Sequence, residues 1–188
     1  MKKYSTVLLV VLASTVLAAS CKKTETVLTE LQKLPPATQT GANTFGCLVN
    51  GVAWLPNGTK PDGWLGRPNL EIYINLNPSY RTFGISAGQY KGVRSNISFG
   101  TSKILQIGEY VFDFANIDNE IFFDYRKLIF GGSNVEYSIP YESLTYRKGK
   151  FIITKLDNIV AGTFEIELCK SNSTDTIKIT NGRFDMKF

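Results

Sequence analysis

The feature that most constrains this chain is the rhythm of its apolar residues. Beyond residue 43 no segment keeps a sustained helical period. Short runs instead switch between apolar and polar residues at every second position, and Gly, Asn, Pro or Asp interrupts them. A period of two marks strands with one buried face, because successive side chains leave a strand on opposite sides. Leu70, Ile72, Ile74 and Leu76 alternate with Glu71, Tyr73 and Asn75; Phe83, Ile85 and Ala87 alternate with Thr82, Gly84 and Ser86. Further candidates fall at 97–99, 109–114, 121–130, 135–139, 144–146, 151–156 and 163–168. The expected fold is all-β, an antiparallel sandwich of roughly nine to eleven short strands. The alternative is a lipocalin-like closed barrel around a cavity.

Two turns can be read more closely. Asn50-Gly51 is a strong two-residue hairpin signal, since both central residues need positive φ. It pairs Val49 with Val52 and Cys47 with Trp54, which puts Phe45, Cys47, Val49, Val52 and Trp54 on one core face. Asn181-Gly182 repeats the dipeptide near the C-terminus and predicts a second hairpin, with Ile177, Ile179, Phe184 and Met186 on one face. On the other face Lys178 would lie opposite Asp185 as a cross-strand ion pair.

The chain opens differently. Met1-Lys2-Lys3 is a basic start, Val7 to Ala19 is uncharged and apolar, and small residues lead to Cys21. This is the layout of a secretory signal, too short for a membrane span of about 20 residues. Leu17-Ala18-Ala19-Ser20-Cys21 resembles the lipobox of bacterial lipoproteins, with Ala18 where that pattern more often has Leu. The resemblance implies cleavage before Cys21 and lipidation of that cysteine, giving a domain tethered by its acyl chains rather than a spanning one. Residues 1–20 are thus expected to be the signal, 21–43 the lipidated cysteine and a flexible tether broken at Pro35-Pro36, and 44–188 a single sandwich domain.

Removing the signal takes two lysines and lowers the formal charge from +5 to +3, mild and scattered, so nucleic acid is an unsuitable partner. The densest basic stretch, 147–150, reads as a solvated hairpin tip. The chain contains no histidine. That removes Ser-His-Asp and Cys-His catalysis and every histidine-dependent zinc site. Gly84-Ile85-Ser86-Ala87-Gly88 matches the nucleophile-elbow pattern, but without histidine and with no helix to follow it the match is accidental.

Other candidates each carry a plainer reading. Asp113, Asp118 and Glu120 lie in an oxygen-rich stretch that could face a hard cation, although Asp and Asn are ordinary turn formers and the spacing fits no calcium loop. No metal or cofactor is expected. Glu165 and Glu167 share one strand face roughly 7 Å apart, a spacing compatible with paired-carboxylate hydrolysis but also common on solvated strands. Catalytic residues are therefore expected to be none. Cys169 shares that face while Cys47 points to the core, which argues against a disulfide between them. The best recognition element is the Gly- and Pro-rich loop 55–68, with Trp64 flanked by Asp62 and Arg67, because binding residues concentrate on loops held by a scaffold. The plainer alternative is that Trp64 caps one end of the sandwich.

Two stretches bring a resemblance. Residues 34–51, LPPATQTGANTFGCLVNG, are similar to the opening of a Bacteroidota lipoprotein family classed as a domain of unknown function. Gly162-Thr163-Phe164 and residues 175–185, DTIKITNGRFD, resemble its ending. The resemblance implies an envelope lipoprotein and transfers no activity and no site residues. Asp175-Thr176-Ile177 also resembles the three-residue O-glycosylation acceptor of that phylum, at Thr176. The expectation is a monomeric, non-enzymatic binding module on the outer membrane, for a glycan or envelope polymer. A carrier of a small apolar ligand and a carboxylate-dependent hydrolase are the alternatives.

Overall fold

A computed structural model of the chain describes residues 28–58, 69–77, 80–91, 94–102, 105–112, 121–128, 134–138, 148–170 and 174–188. Among them are a single 3-10 turn, Leu31–Lys33, and eleven strands. These are β1 Thr44–Val49, β2 Val52–Trp54, β3 Leu70–Asn77, β4 Tyr80–Gln89, β5 Ser95–Thr101, β6 Gly108–Phe112, β7 Ile121–Leu128, β8 Asn134–Ser138, β9 Lys148–Leu156, β10 Ile159–Lys170 and β11 Thr176–Lys187. The candidate strand at 144–146 lies outside the described residues.

Two antiparallel sheets result. One runs β2-β1-β11-β10-β9-β6 and the other β3-β4-β5-β7-β8. They meet at one corner, where Cys169 and Lys170 at the end of β10 pair with Ser138 and Tyr137 of β8. The sheets do not close into a barrel, which sets aside the lipocalin-like alternative. The interior is filled by phenylalanines drawn alternately from both sheets. Phe99 stacks on Phe123 at 4.9 Å between ring centroids and meets Phe164 at 4.8 Å and Phe151 at 5.6 Å. Aromatic pairs of this kind contribute about 0.5–1.5 kcal/mol beyond the area they bury. Trp54 is buried with them, and its indole N–H donates to Ser95 Oγ at 2.9 Å, so the polar atom enters the core satisfied.

The first hairpin forms as expected. Asn50 and Gly51 take φ of 49° and 82°, and Cys47 pairs with Trp54. Phe45, Cys47 and Trp54 are core residues, whereas Val52 is 61% exposed because the hairpin tip projects past the core edge.

The second hairpin does not form. β11 runs straight through Asn181-Gly182, which is a bulge: Asn181 keeps a positive φ of 53°, and the register slips against both β1 and β10 at that level. Both neighbours offer pairing along the whole of β11, so a fold-back would forfeit two ladders. Phe164 also packs on Gly182, where a Cβ would come within 2.5 Å of the ring. The expected Lys178–Asp185 pair is replaced accordingly. Lys178 lies 3.9 Å from Glu167 on β10, and Asp185 is buried under residues 38–41 on the outer face of β11.

The expected tether is shorter than residues 21–43. From Glu30 onward the chain is a strap laid on the sandwich. Ala53 N–H donates to Glu30 Oε2 at 2.8 Å, Leu34 is buried, and Pro35 rests on Gly46. Arg183 Nη1 donates to Pro35 O at 3.1 Å. The strap is fastened at Asp185: Oδ2 accepts from Thr38 Oγ1 at 2.6 Å and from Thr40 N–H at 2.9 Å, and Oδ1 from Gly41 N–H at 2.7 Å.

Candidate functional site

The outer face of β9, β10 and β11 carries a lattice of lysines and glutamates. Antiparallel register sets Lys150 opposite Glu165, Lys148 opposite Glu167, and Glu167 opposite Lys178. The basic stretch expected as a hairpin tip is therefore, from Lys148 on, part of a strand beside the glutamate pair. Lys150 Nζ lies 3.3 Å from Glu109 and 3.9 Å from Glu165. Next to this lattice, at the level of the β11 bulge, is a groove of about 670 Å³. Ala37 of the strap and Arg183 form part of its wall, and Ile152, Thr163, Glu165 and Thr180 also line it. Arg183 is steadied by the Pro35 carbonyl and by Asn181 O, which its Nε reaches at 3.3 Å.

This surface offers donors and acceptors of both signs, which suits a polar ligand. It is poorly built for acid–base hydrolysis. Two carboxylates with different catalytic roles need different environments. Glu165 and Glu167 share one, on an open strand face with a lysine ammonium 3.9 Å from each. Ser86 of the elbow-like motif sits mid-strand in β4, where its hydroxyl accepts from Asn96 Nδ2 at 3.1 Å.

The two described cysteines are free. Cys47 is fully buried, and burial pushes its thiol pKa far up. Cys169 is also buried, not exposed beside the glutamates; burial raises its pKa first and the Glu167 charge second. Neither environment favours a thiolate. Thr176 is half-buried at the start of β11, opposite Cys169.

Cys21, the loop residues Asp62, Trp64 and Arg67, and Asp113, Asp118 and Glu120 lie outside the described residues. The feet of the loop are described, and they converge. Asn57 N–H donates to Gly88 O at 3.0 Å, and Gly88 N–H donates to Asn69 O at 2.7 Å. The Asn57 side chain also accepts from the N–H groups of Tyr90 and Lys91. The segment between these feet thus leaves and rejoins the sandwich at one point on the end of β4.

The polar residue whose role sequence reasoning misassigned is Asp185, expected in a surface ion pair with Lys178 and found holding residues 38–41. Burial would raise its pKa, but hydrogen bonds from the Thr38 hydroxyl and from the N–H groups of Thr40, Gly41 and Ala42 outweigh it and hold the value at about 2. The available signal was Thr38-Gln39-Thr40-Gly41, a run rich in short donors that an anion can gather. Compared with known protein families, with curated proteins and with solved structures, the chain matches none.

Proposed function

We propose that this chain is a lipoprotein of the bacterial cell envelope, anchored to the outer membrane through Cys21, whose sandwich serves as a binding module. The observation that carries the reading is the run Leu17-Ala18-Ala19-Ser20-Cys21 behind a basic start and a short apolar stretch, and the path from that cysteine to the fold is short. Glu30 is already bonded to β2, and nine residues reach at most about 30 Å. A sandwich so attached works next to the membrane surface. The loop from Asn57 to Asn69, with Trp64, Asp62 and Arg67, is the recognition element on this reading, and a glycan or other envelope polymer is its ligand. The converging feet support it, because they hold the ends of the loop on a rigid strand. The carrier alternative needs an apolar hollow between the sheets, and phenylalanine rings occupy that space.

Metabolic labelling with palmitate in a Gram-negative host tests the anchor. The wild type incorporates label and partitions into the outer-membrane fraction, and Cys21→Ala abolishes both. Label that persists in Cys21→Ala refutes the anchor.

A further inference from the structure

The outer face of the other sheet differs in chemistry from the lysine–glutamate lattice. Cross-strand register lines up Tyr73, Gly84, Gly100 and Phe122 in one row across β3, β4, β5 and β7. Both aromatics lean inward over the glycines. The position a Cβ would take on Gly84 is 3.6 Å from Phe122 Cζ and 3.9 Å from Tyr73 Cδ2. On Gly100 it would be 2.9 Å from Phe122 Cε1. The result is a low aromatic strip across four strands, roughly 14 Å from end to end. Tyr73 is 58% exposed and Phe122 47%.

The next row, roughly 7 Å along the strands, is Glu71, Ser86, Ser98 and Asp124; beyond it are Asn96 and Arg126. Tyr73 Oη donates to Glu71 Oε2 at 2.6 Å, and Arg126 Nη2 lies 3.6 Å from Asp124. These rows combine flat apolar rings with carboxylate, hydroxyl and amide groups and contain no lysine.

We infer that this face is a platform for a neutral glycan chain. A pyranose ring has a C–H face that stacks on an aromatic ring and a rim of hydroxyls that hydrogen-bond beside it, and the two rows supply those groups in that order. Two carboxylates, Glu71 and Asp124, stand in the row beside the rings, and a polyanion laid on the strip would bring like charge against them. Aromatic rings over strand glycines also patch a sheet, but about half of each ring here stays in water, which patching does not require. The platform adjoins the feet of the Trp64 loop, since β3 starts directly after that loop and both feet bond to Gly88 of β4. The inference rests on reading the chain as a binding module, and its failure would leave the Cys21 anchor untouched, which palmitate labelling reads separately.

The test is calorimetric titration of the full-length protein in detergent with a neutral β-glucan, a galactomannan and an arabinoxylan, and with alginate as the anionic control. At least one neutral polysaccharide binds, alginate does not, and Tyr73→Ala or Phe122→Ala weakens binding roughly tenfold. Tyr73→Phe retains binding, and Lys155→Ala on the opposite sheet leaves it unchanged. Tyr73 sits on an edge strand, so Tyr73→Ala keeps the test valid should Phe122→Ala fold poorly. Failure of all three neutral polysaccharides, preference for alginate, or wild-type binding by folded Tyr73→Ala overturns the platform. So does a concentration-dependent dimer that Tyr73→Ala dissolves, which would assign the face to a second copy of the chain.

Discussion

Asp185→Asn is the sharpest probe of how the strap is held. The carboxylate of Asp185 is 1% exposed and gathers donors from Thr38, Thr40 and Gly41. A folded pKa of about 2 against an ordinary 3.8 corresponds to about 2 kcal/mol. Only one layer of chain covers the group, and solvent screening trims the charge contribution to about 1–2 kcal/mol. The substitution also turns one acceptor atom into a donor. Thr38 can rotate its hydroxyl to accept, but Thr40 N–H cannot, and an orphaned buried N–H costs about 1–3 kcal/mol. The expected loss near neutral pH is about 2–4 kcal/mol, a fall in Tm of roughly 4–16 °C for a domain of this size. The pH dependence has a definite sign. Because the folded pKa is depressed, the stabilisation is fully present above the unfolded value near 4 and is lost as pH falls through about 2. Thermal unfolding followed by circular dichroism at pH 7 and pH 2 should show a wide gap between wild type and Asp185→Asn at pH 7 and a narrower one at pH 2. A gap of equal size at both pH values, or none at pH 7, would show that the carboxylate charge does not hold the strap.

The packing sets two further outcomes. Gly182→Ala puts a methyl group 2.5 Å from the Phe164 ring and should lower the denaturant midpoint by an amount equivalent to about 1–3 kcal/mol, whereas Gly51→Ala meets no neighbouring atom and loses stability only through its positive φ. Thiol titration of the native Cys21→Ala protein should show no fast-reacting cysteine, with Cys47 and Cys169 both becoming reactive on unfolding, and reducing agent should leave Tm unchanged. A Tm that falls on reduction would mean that the two are joined.

The two Asn-Gly dipeptides show what local sequence could and could not deliver. Both asparagines adopt positive φ, 49° at Asn50 and 53° at Asn181, so the backbone preference of the residue was legible in each case. The path of the chain after each asparagine depends on neighbours far away in sequence. β2 is three residues long at a sheet edge, so turning there costs little, and the turn itself docks through Asn50 N–H on Lys178 O. At Asn181 the strands on both sides continue past the dipeptide, and a bulge keeps both ladders. The same non-local pairing took Asp185 from an expected surface ion pair into the strap. Alternation, by contrast, was readable because each strand has one buried face, and the core phenylalanines obey it: Phe83 on β4, Phe99 on β5, Phe123 on β7.

The candidate surfaces divide along the same line. The lipobox-like run 17–21 and the Trp64 loop are contiguous in sequence and could be seen there. The lattice of Lys148, Lys150, Glu165, Glu167 and Lys178 was visible only in parts, as a basic stretch and a carboxylate pair, because its meaning lies in the register between β9, β10 and β11. The aromatic row was invisible: Tyr73 and Phe122 each look like a stray large residue on a polar face until four strands are aligned. Gly84 shows the gain most clearly. In sequence it opened an accidental nucleophile motif, and glycine inside a strand is a weak choice, costing about 0.5–1 kcal/mol relative to alanine. Its purpose shows only together with Gly100. A Cβ on Gly84 would touch the two rings at ordinary contact distances of 3.6 and 3.9 Å. One on Gly100 would come within 2.9 Å of Phe122 Cε1 and closer still to Phe83 O, so Gly100 is the position that must stay bare. On the platform reading, the pair of glycines, Gly100 above all, keeps those two rings low and level enough for a sugar ring to lie across them.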